Sequence, residues 1–577
     1  MHAIYAAKIA NQWYAYHCLL HACCFEHVNF LMGGFVTRHL ILLLTMLSLL
    51  TACGGGSNSV SDPTIGTLRI ESVTTPVQGG ASGTVTVSLS APKGGPGTGT
   101  VAITSADSGL LSFTPTSQPL NSNGFATFTF TTKTVSVDTR VEFKVAVSTL
   151  SLINSVTITA GSTSTAAQKA WVRAHLDDVY LWFNEIVDVP PANYATAPDY
   201  FDALLVRSRD RFSFSMPLSQ ATGIFQEGVE TGYGVKWGWG TGSRLFAYYV
   251  DPAGPAFGKI SRGTEITAIN GKALALVTDA ELYSALFPDR AGVVVTLAIR
   301  PPATILSLQR PLTSATFPTT TVEPPRVLTL ANGAKVGYLL FNDHLLSAEA
   351  GLRSALTTFQ QQGITDLVLD LRYNGGGYLF IAQELASMIG GAAVQGKVFE
   401  RLLFNSKHPE MTNDPQSTYL FSNQDISGAA LPLLGLSRVF VLTGSSTCSA
   451  SESIINGLLP HIQVVRVGAT TCGKPYGFIQ ANNGLQAYFA IRFEGVNANG
   501  TDDFKTGFAP TCPVFDDLRY PLGDSREARL DAALYFVGNN ACPPTPTPTL
   551  PKTAADALPM SGDPRLVGQR PGLKLTR

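Results

Sequence analysis

Ser449 and Lys474 are two residues whose types and spacing could support nucleophilic catalysis. Ser449 follows an apolar segment and a loop of small residues, T-G-S-S-T-C, and stands where a helix is predicted to begin. Backbone N–H groups at the start of a helix favour negative charge, so Ser449 is a candidate nucleophile. A serine hydroxyl needs a base, and no histidine lies in this loop. We expect Lys474 to be the base, because burial can lower the pKa of a lysine enough to leave a neutral amine.

A glycine-rich turn at residues 372–377, R-Y-N-G-G-G, could supply the third part of such a site. It connects a buried-looking strand at 365–371 to an apolar helix at 378–389. Glycines let backbone N–H groups approach a ligand closely, which suits an oxyanion hole. A phosphate-binding loop is the alternative, but the pattern G-x-x-x-x-G-K-[ST] is absent. We therefore interpret the turn as a source of oxyanion donors.

Three motifs, taken together, resemble a known family. They are D-L-R-Y-N-G-G-G at 370–377, S-A-S-E at 449–452 and T-C-G-K at 471–474, with 25 positions from the serine to the lysine (474 − 449 = 25). Their order and spacing resemble those of the carboxyl-terminal processing peptidases, also called tail-specific proteases, which are Ser/Lys endopeptidases. The resemblance covers residues 168–537, and the combination is more specific than any one motif.

The resemblance implies a role for each matching residue. We expect neither a metal nor a cofactor. The residues are the nucleophile Ser449, the general base Lys474, the polar support Glu452, and the oxyanion donors Ala450 and either Gly376 or Gly377. The chain departs from the family at Phe478, where the family usually has a glutamine four residues after the lysine. Whether Gln480 replaces that glutamine is open, and with it the orientation of the lysine.

The N-terminal residues carry a second strong signal. A basic residue precedes the apolar run L-I-L-L-L-T-M-L-S-L-L, which is short for a bilayer span and ends in L-T-A-C. We interpret residues 1–52 as a signal peptide, with 1–31 as an over-long start, and expect Cys53 to be lipidated as in bacterial lipoproteins. A transmembrane anchor is the weaker alternative, because a glycine- and serine-rich linker at 53–63 follows at once.

Two segments of different character come next. Residues 64–160 contain short alternating stretches such as G-T-V-T-V-S-L and A-T-F-T-F-T-T, separated by Gly, Pro, Ser and Asn. This period-two alternation predicts an immunoglobulin-like β-sandwich. Residues 165–220 are predicted to be a largely helical segment.

Residues 221–305 resemble a PDZ domain, through G-Y-G-V at 232–235 and a longer motif at 250–271. Consecutive backbone N–H groups in a glycine-containing turn can hold the terminal carboxylate of a peptide, while the adjacent strand edge pairs with the peptide. The alternative is that these glycines are only turn residues. The resemblance implies peptide binding by Gly232, Tyr233, Gly234 and Val235.

Residues 306–542 alternate apolar strands with helices, which predicts an α/β domain. For this Ser/Lys peptidase domain the resemblance implies a crotonase/Clp-protease-like spiral. The proline-rich tail at 543–577 is predicted to be extended and disordered. The expected fold is therefore multidomain, with a β-sandwich, a helical segment, a PDZ-like domain and an α/β catalytic domain.

Four cysteines follow Cys53 and form an even set for an oxidising compartment: Cys448, Cys472, Cys512 and Cys542. Cys448 directly precedes Ser449, and Cys472 lies two residues before Lys474. If the side chains of the dyad meet, the two cysteine backbones must also approach each other. We therefore predict a Cys448–Cys472 bridge, which leaves Cys512–Cys542 as the second pair.

The composition limits the partners that the chain can have. A net charge of −1 over 577 residues gives no electrostatic reason to expect nucleic acid. We predict a lipid-anchored serine endopeptidase of the bacterial cell envelope, facing the periplasm or the exterior. It would cleave proteins or peptides with free C-termini and touch the membrane only through its anchor. The alternatives are an inactive peptide-binding or scaffolding lipoprotein and an acyl-CoA enzyme of the crotonase type; the PDZ segment, secretion signal and intact dyad argue against the latter.

Overall fold

The computed structural model describes residues 59–544, apart from residues 63, 93, 94, 122, 134, 136–138, 160–163, 426 and 427, together with residues 566 and 567. The predicted signal peptide, the lipidation site Cys53 and most of the predicted proline-rich tail lie outside the described residues. Within the described ranges, no helix is both long and apolar enough to cross a membrane. The chain divides into two compact units, the first comprising Met1–Val172, Pro191–Tyr200 and Ile479–Tyr488, and the second the remaining residues.

The strands between residues 59 and 159 form a β-sandwich. They are β1 (Ser59–Asp62), β2 (Gly66–Val73), β3 (Val77–Gln78), β4 (Ser82–Ser90), β5 (Thr100–Ser105), β6 (Leu111–Thr114), β7 (Ser117–Pro119), β8 (Phe125–Thr132), β9 (Thr139–Val147) and β10 (Leu150–Thr159). Two five-stranded sheets have the orders β1-β2-β4-β8-β6 and β3-β10-β9-β5-β7. Alternate residues of the strands are buried, and the rings of Phe113 and Phe143 meet between the sheets at 5.5 Å. Strand β1 lies inside the predicted linker at 53–63, so the sandwich begins before residue 64.

The predicted helical segment at 165–220 contains helices and one short strand. Its elements, with the helix that overlaps its end, are α1 (Thr165–Val179), α2 (Ala197–Leu204), β11 (Phe214–Pro217) and α3 (Leu218–Thr222). The strand lies at residues 214–217, where apolar Phe214 and Met216 alternate with Ser215 and therefore have the period of a strand.

A third group of elements forms a sheet with one short helix. It comprises β12 (Val229–Gly232), β13 (Val235–Gly240), β14 (Arg244–Val250), β15 (Glu265–Ile269), β16 (Lys272–Ala273), α4 (Asp279–Leu286), β17 (Val294–Arg300), β18 (Leu308–Thr313) and β19 (Ala315–Pro318). The sheet order runs β18-β17-β15-β14-β13, β16 pairs with β15, and β12 pairs with β19. Because β18 and β19 are hydrogen-bonded to earlier strands, this region extends past the predicted boundary at residue 305 to Pro318.

The region from residue 326 to residue 539 is built on a mostly parallel sheet. Its elements are β20 (Arg326–Thr329), β21 (Lys335–Leu340), α5 (Ala348–Gln362), β22 (Asp366–Asp370), α6 (Leu379–Gly390), β23 (Val398–Phe404), α7 (Pro409–Asn413), β24 (Thr418–Leu420), β25 (Arg438–Thr443), α8 (Ala450–Leu458), β26 (Gln463–Gly468), β27 (Tyr476–Phe478), β28 (Ala481–Asn483), β29 (Gln486–Phe489), β30 (Ile491–Val496), β31 (Cys512–Pro513) and α9 (Ala528–Asn539). The last described strand, β32 (Leu566–Val567), pairs with β13.

The order of the main sheet places the candidate loops side by side. The sheet runs β20-β21-β22-β25-β26-β31 and is parallel from β21 to β31. All residues of β22 are buried, as is usual for a parallel strand covered on both faces. The glycine turn follows β22, and Ser449 follows its neighbour β25. Since neighbouring parallel strands end at the same edge, both loops lie at one edge of the sheet.

Candidate active site

Ser449 occupies a strained turn between strand β25 and helix α8. Its backbone angles, φ 56° and ψ −120°, lie in a region that residues with a side chain rarely adopt. Cys448 before it and Ala450 after it are buried, whereas Ser449 is partly exposed. The turn therefore presents this one side chain at the edge of the sheet, at the start of a helix whose N–H groups face outward.

The carboxylate of Glu452 ties the Ser449 turn to the loop that carries Lys474. Oε2 accepts the N–H of Ser449 at 3.0 Å and the N–H of Lys474 at 2.8 Å. Oε1 accepts the N–H of Gly473 at 2.8 Å and the hydroxyl of Thr471. Burial raises the pKa of Glu452 to about 7, against the lowering effect of these hydrogen bonds. The polar support expected of Glu452 thus consists of two hydrogen bonds, in which its carboxylate accepts the backbone N–H groups of Ser449 and Lys474.

Two disulfides are present among the residues that the structure describes, and they are the pairs expected from the sequence. Cys448 is bonded to Cys472, with their Cα atoms 5.2 Å apart, and Cys512 is bonded to Cys542, with Cα atoms 5.5 Å apart. The first disulfide joins the residue before Ser449 to the loop before Lys474. It therefore holds together the same two segments that Glu452 joins by hydrogen bonds.

Lys474 is buried and its amine lies against two aromatic rings. Its Nζ is 4.1 Å from the ring centroid of Phe478 and 5.5 Å from that of Phe212. Burial lowers the pKa of Lys474 to about 8, while the negative charges of Asp210 and Glu452 oppose the decrease. The structure has no hydrogen bond between the Lys474 amine and the Ser449 hydroxyl. A large part of the amine is nevertheless neutral at pH 8, as a general base requires.

The glycine turn approaches Ser449 so closely that side chains are excluded. A Cβ added to Gly376 (φ +100°) would lie 2.9 Å from Cβ of Ser449 and 3.0 Å from the backbone nitrogen of Ala450. A Cβ added to Gly377 (φ +139°) would lie 2.5 Å from the carbonyl oxygen of His344. Both positions therefore require glycine, for its backbone angles and for space.

The two glycines that the resemblance implies as oxyanion donors differ in availability. The N–H of Gly376 donates to Oδ1 of Asn374 at 2.9 Å, so Gly376 is not a free donor, and this corrects one of the two alternatives. The N–H groups of Gly377 and Ala450 donate to no acceptor in the described part of the chain. These two remain the candidate oxyanion donors.

Asn374 and His344 support the turn, and the sequence analysis did not single out Asn374. Its side chain donates to the carbonyl of Phe341 at 2.9 Å and pairs with Nδ1 of His344 at 3.0 Å. Burial lowers the pKa of His344 to about 3, so its ring is neutral. The position of Asn374 directly before three glycines was a visible signal, but the sequence does not show which groups its amide would meet.

A cluster of buried charges fixes the start of the turn. Arg372 pairs with Asp370 at 2.9 Å, with Asp516 at 3.0 Å and with Glu527 at 2.8 Å, and all four side chains are nearly or fully buried. Arg262, which lies between β14 and β15, also pairs with Asp516. The turn is therefore anchored to the C-terminal part of the domain and to the sheet that precedes it.

Lys236 of strand β13 makes a further contact to the turn. Its amine donates to the carbonyl of Tyr373 at 3.0 Å and lies 3.6 Å from a carboxylate oxygen of Asp343. The sheet at residues 235–313 and the glycine turn are thus joined by direct hydrogen bonds.

The residues expected to bind a peptide terminus, at 232–235, are all buried. Tyr233 and Gly234 accept hydrogen bonds through their carbonyls, from the N–H groups of Ala256 and Asp251 at 3.0 and 2.8 Å. Their own N–H groups donate to no acceptor among the residues that the structure describes. The side chain of Tyr233 extends into the domain core, where its hydroxyl donates to the carbonyl of Val293 at 3.3 Å.

Metal-binding side chains meet at one place in the described ranges. One ligand atom each of Cys448, Glu452 and Cys472 lies within 4.8 Å of the others. The two sulfurs are joined in a disulfide and the carboxylate accepts four hydrogen bonds, so these atoms are already engaged. The cluster is therefore a disulfide beside a hydrogen-bonded carboxylate.

Comparison with known proteins agrees with this geometry. Residues 335–514 match Peptidase family S41, and residues 167–214 match the Peptidase S41 N-terminal domain. The region that holds Ser449 and Lys474 is therefore similar to Peptidase family S41. The chain contains peptidase S41 family domains and is a homologue of the carboxyl-terminal processing proteases, which confirms the resemblance seen in the sequence.

Individual relatives are similar over different lengths. The carboxyl-terminal-processing protease of Picosynechococcus sp. is 31% identical over 150 residues, which are 26% of this chain and 31% of the relative. The chain thus matches about a third of the length of this curated relative. A Bacteroides fragilis protein described as an S41 protease is 25% identical, with a TM-score of 0.52 over 64% of this chain and 97% of the other. The photosystem II D1 C-terminal processing protease is 22% identical, with a TM-score of 0.40 over 61% and 94% of the two chains.

Proposed function

We propose that this protein is a serine endopeptidase in which Ser449 is the nucleophile and Lys474 the general base. The observation that carries the proposal is the carboxylate oxygen of Glu452 that accepts the backbone N–H groups of both residues. This shared acceptor keeps the two residues in neighbouring positions. Burial lowers the pKa of Lys474 to about 8, which supports its role as a base.

The proposed reaction is acyl transfer. The amine of Lys474 takes the proton of the Ser449 hydroxyl while Oγ bonds to the carbonyl carbon of the scissile peptide. The N–H groups of Gly377 and Ala450 donate to the resulting oxyanion. The carbon–nitrogen bond then breaks, and the Lys474 ammonium returns its proton to the leaving amine. A water molecule, deprotonated by the same amine, hydrolyses the ester and restores the serine.

Substitution of the dyad tests this proposal directly. We expect Ser449→Ala and Lys474→Ala each to abolish cleavage of casein, and Lys474→Arg to do the same because a guanidinium stays protonated. Lys272→Ala is the matched control, since Lys272 is exposed and pairs with Glu281 at 2.7 Å. A fluorophosphonate probe should label wild-type protein at Ser449.

Two outcomes would count against the proposal. Full activity of Lys474→Ala would exclude Lys474 as the base. A folded wild-type protein that neither cleaves casein nor reacts with the probe would favour the inactive peptide-binding alternative.

We further propose that the sheet at residues 229–318 is a PDZ domain that selects substrates by their C-termini. The unpaired, buried N–H groups of Tyr233 and Gly234 support this role, because buried donors without acceptors are suited to a carboxylate ligand. Gly232 and Val235 flank these donors, and Val235 begins strand β13. The substrates would be proteins or peptides with a free, apolar C-terminus.

The tail preference can be measured with one peptide in two forms. A peptide with an apolar free C-terminus should be cleaved faster than its C-terminal amide, since amidation removes the charge that the N–H groups would hold. Gly234→Pro should reduce this preference, because Gly234 has φ +73° and proline cannot adopt that angle. Equal rates for acid and amide in the intact protein would exclude tail selection.

The remaining parts of the proposal concern placement in the cell. The sandwich would be immunoglobulin-like, and Cys53, outside the described residues, would carry the lipid that anchors the protein in the bacterial cell envelope. The L-T-A-C sequence at residues 50–53 supports this proposal. Intact mass after detergent extraction should show an acylated Cys53, and a mature protein that begins elsewhere would refute it.

A further inference from the structure

The amine of Lys474 makes no hydrogen bond to a protein group within the described ranges, although Lys474 is a buried residue. Its contacts are the faces of two aromatic rings, with centroids 4.1 Å (Phe478) and 5.5 Å (Phe212) from Nζ. A cation within about 6 Å of a ring face is attracted by the electron density of the ring. Phe478 therefore contacts the amine at the position where the resembled family usually has a glutamine.

The ring of Phe478 is itself held in one orientation. It makes edge-to-face contacts with Phe214, at 5.6 Å, and with Phe489, at 5.2 Å. Phe214 and Phe489 stack on each other at 4.6 Å. Such aromatic pairs restrict rotation and contribute beyond their buried area. The face that Phe478 offers to the amine is thus set by a rigid cluster.

The second ring is fixed through its backbone. The N–H groups of Phe212 and Ser213 donate to Oδ1 of Asp210 at 2.9 and 2.8 Å, and the hydroxyl of Tyr180 donates to Oδ2 at 2.7 Å. The guanidinium of Arg211 also lies over the Phe212 ring, at 4.9 Å. Since the Phe212 ring is farther from Nζ and is shared with a second cation, Phe478 makes the stronger contact.

We propose that Phe478 and Phe212 form an aromatic clamp, in which these two positioning residues hold the amine of Lys474 for proton transfer with Ser449. That the proton passes from Ser449 to Lys474 rests on the proposed function. A ring face attracts the N–H groups of the amine and leaves its lone pair free. The neutral amine can then accept the serine proton without first breaking a hydrogen bond. The charged groups that act on the amine are Asp210 and Glu452, and both favour its protonated form.

The clamp can be tested through the titration of Lys474, independently of activity. In full-length protein with Ser449→Ala, competitive acetylation by acetic anhydride over a range of pH, read by mass spectrometry, gives the apparent pKa of Lys474. Phe478→Leu keeps an apolar side chain but removes the ring face, so this pKa should fall by about 1 pH unit. Phe478→Trp should keep or raise it. The matched control is Phe404→Leu, which removes a ring that packs against Phe493, outside the cluster that holds Phe478, and should leave the pKa unchanged.

A second measurement reports on positioning. With native Ser449, and at a pH where Lys474 is neutral, the rate of fluorophosphonate labelling should fall about tenfold in Phe478→Leu, recover in Phe478→Trp and stay within about twofold in Phe404→Leu. Equal titration and labelling in Phe478→Leu and Phe404→Leu would overturn the clamp. If Phe478→Leu lowers the pKa of Lys474 but the probe does not label wild-type Ser449, the clamp is supported and only the proposed function is contradicted.

Discussion

Two buried carboxylates of the catalytic domain are satisfied in opposite ways. Asp516 accepts hydrogen bonds from the guanidinium groups of Arg372, at 3.0 Å, and Arg262. Glu452 accepts only uncharged donors, namely three backbone N–H groups at 2.8–3.0 Å and the hydroxyl of Thr471. The first carboxylate is surrounded by cations and the second by dipoles.

This difference changes how the two groups titrate. Burial alone would raise the pKa of Asp516, but the charges of Arg262, Arg529 and Arg372 hold it far below the usual range. Burial raises the pKa of Glu452 to about 7, because hydrogen bonds from neutral donors offset only part of the desolvation. Cations therefore keep the scaffold carboxylate ionised, while dipoles leave the carboxylate at the candidate site able to titrate near neutral pH.

Removing the cation at the centre of the first cluster should have the largest effect. Arg372→Met leaves Asp370, Asp516 and Glu527 buried with fewer partners, and we expect the free energy of unfolding to fall by about 3–5 kcal/mol. Urea unfolding measures the change. The control is Arg519→Met, because Arg519 is 62% exposed and its pair with Asp517 should contribute about 1 kcal/mol or less. Equal losses in the two variants would mean that the cluster is not a main source of stability.

The two carboxylates should also give pH dependences of opposite sign. The pKa of Glu452 rises from 4.5 to about 7 on folding, so its contribution to stability is complete below about pH 4.5 and is lost as the pH rises to 7. The difference of about 2.5 pH units corresponds to about 3 kcal/mol. The pKa of Asp516 is lowered, so its contribution is present above pH 3.8 and is lost as the pH falls.

Unfolding by urea at several pH values between 4 and 8 isolates the contribution of Glu452, because that of Asp516 is constant above pH 3.8. Glu452→Gln should remove about 3 kcal/mol of the decline between pH 4.5 and 7. Glu400→Gln is a matched control, since burial also raises the pKa of Glu400 to about 7, but Glu400 bonds neither Ser449 nor Lys474. It should change the stability profile similarly and leave the probe reaction of Ser449 intact. An unchanged decline in Glu452→Gln would show that Glu452 is ionised throughout this range.

The features that could be predicted from the sequence are those whose pattern is local. The strand at β22 and the helix Ala348–Gln362 were predictable because their apolar runs and periodicity are local. The Ser449 turn was predictable because its motif lies within a short stretch. The role of Lys474 as the base stays a prediction. Strand β1, S-V-S-D, was not, since a short edge strand inside a polar segment has no local pattern.

Contacts between distant polar residues could not be predicted. Arg262 and Asp516 are 254 positions apart, and neither position indicates that the other is its partner. The bond from the Gly376 N–H to Asn374 likewise depends on the final conformation of the turn. The departure from the family pattern at Phe478 was visible in the sequence. The contact of its ring with the Lys474 amine could be seen only in the folded chain.

The smallest expected effect comes from the single side-chain donor to Glu452. The hydroxyl of Thr471 donates to Oε1 of Glu452 and accepts the N–H of Phe508 at 2.7 Å, so Thr471→Val removes both bonds with little change in volume. We expect the free energy of unfolding to fall by about 1–2 kcal/mol. The pKa of Glu452 should rise further, because the Thr471 bond is the largest of the hydrogen bonds that lower it.

Thr471→Ser is the matched control, since it keeps the hydroxyl and loses only a methyl group. The loss of stability that comes from the hydroxyl should then be absent, and the pH at which Glu452 titrates should return to the wild-type value. If valine and serine behave alike, the three backbone N–H groups alone determine the state of Glu452. The contrast with Asp516 would then depend only on the backbone dipoles of Ser449, Gly473 and Lys474.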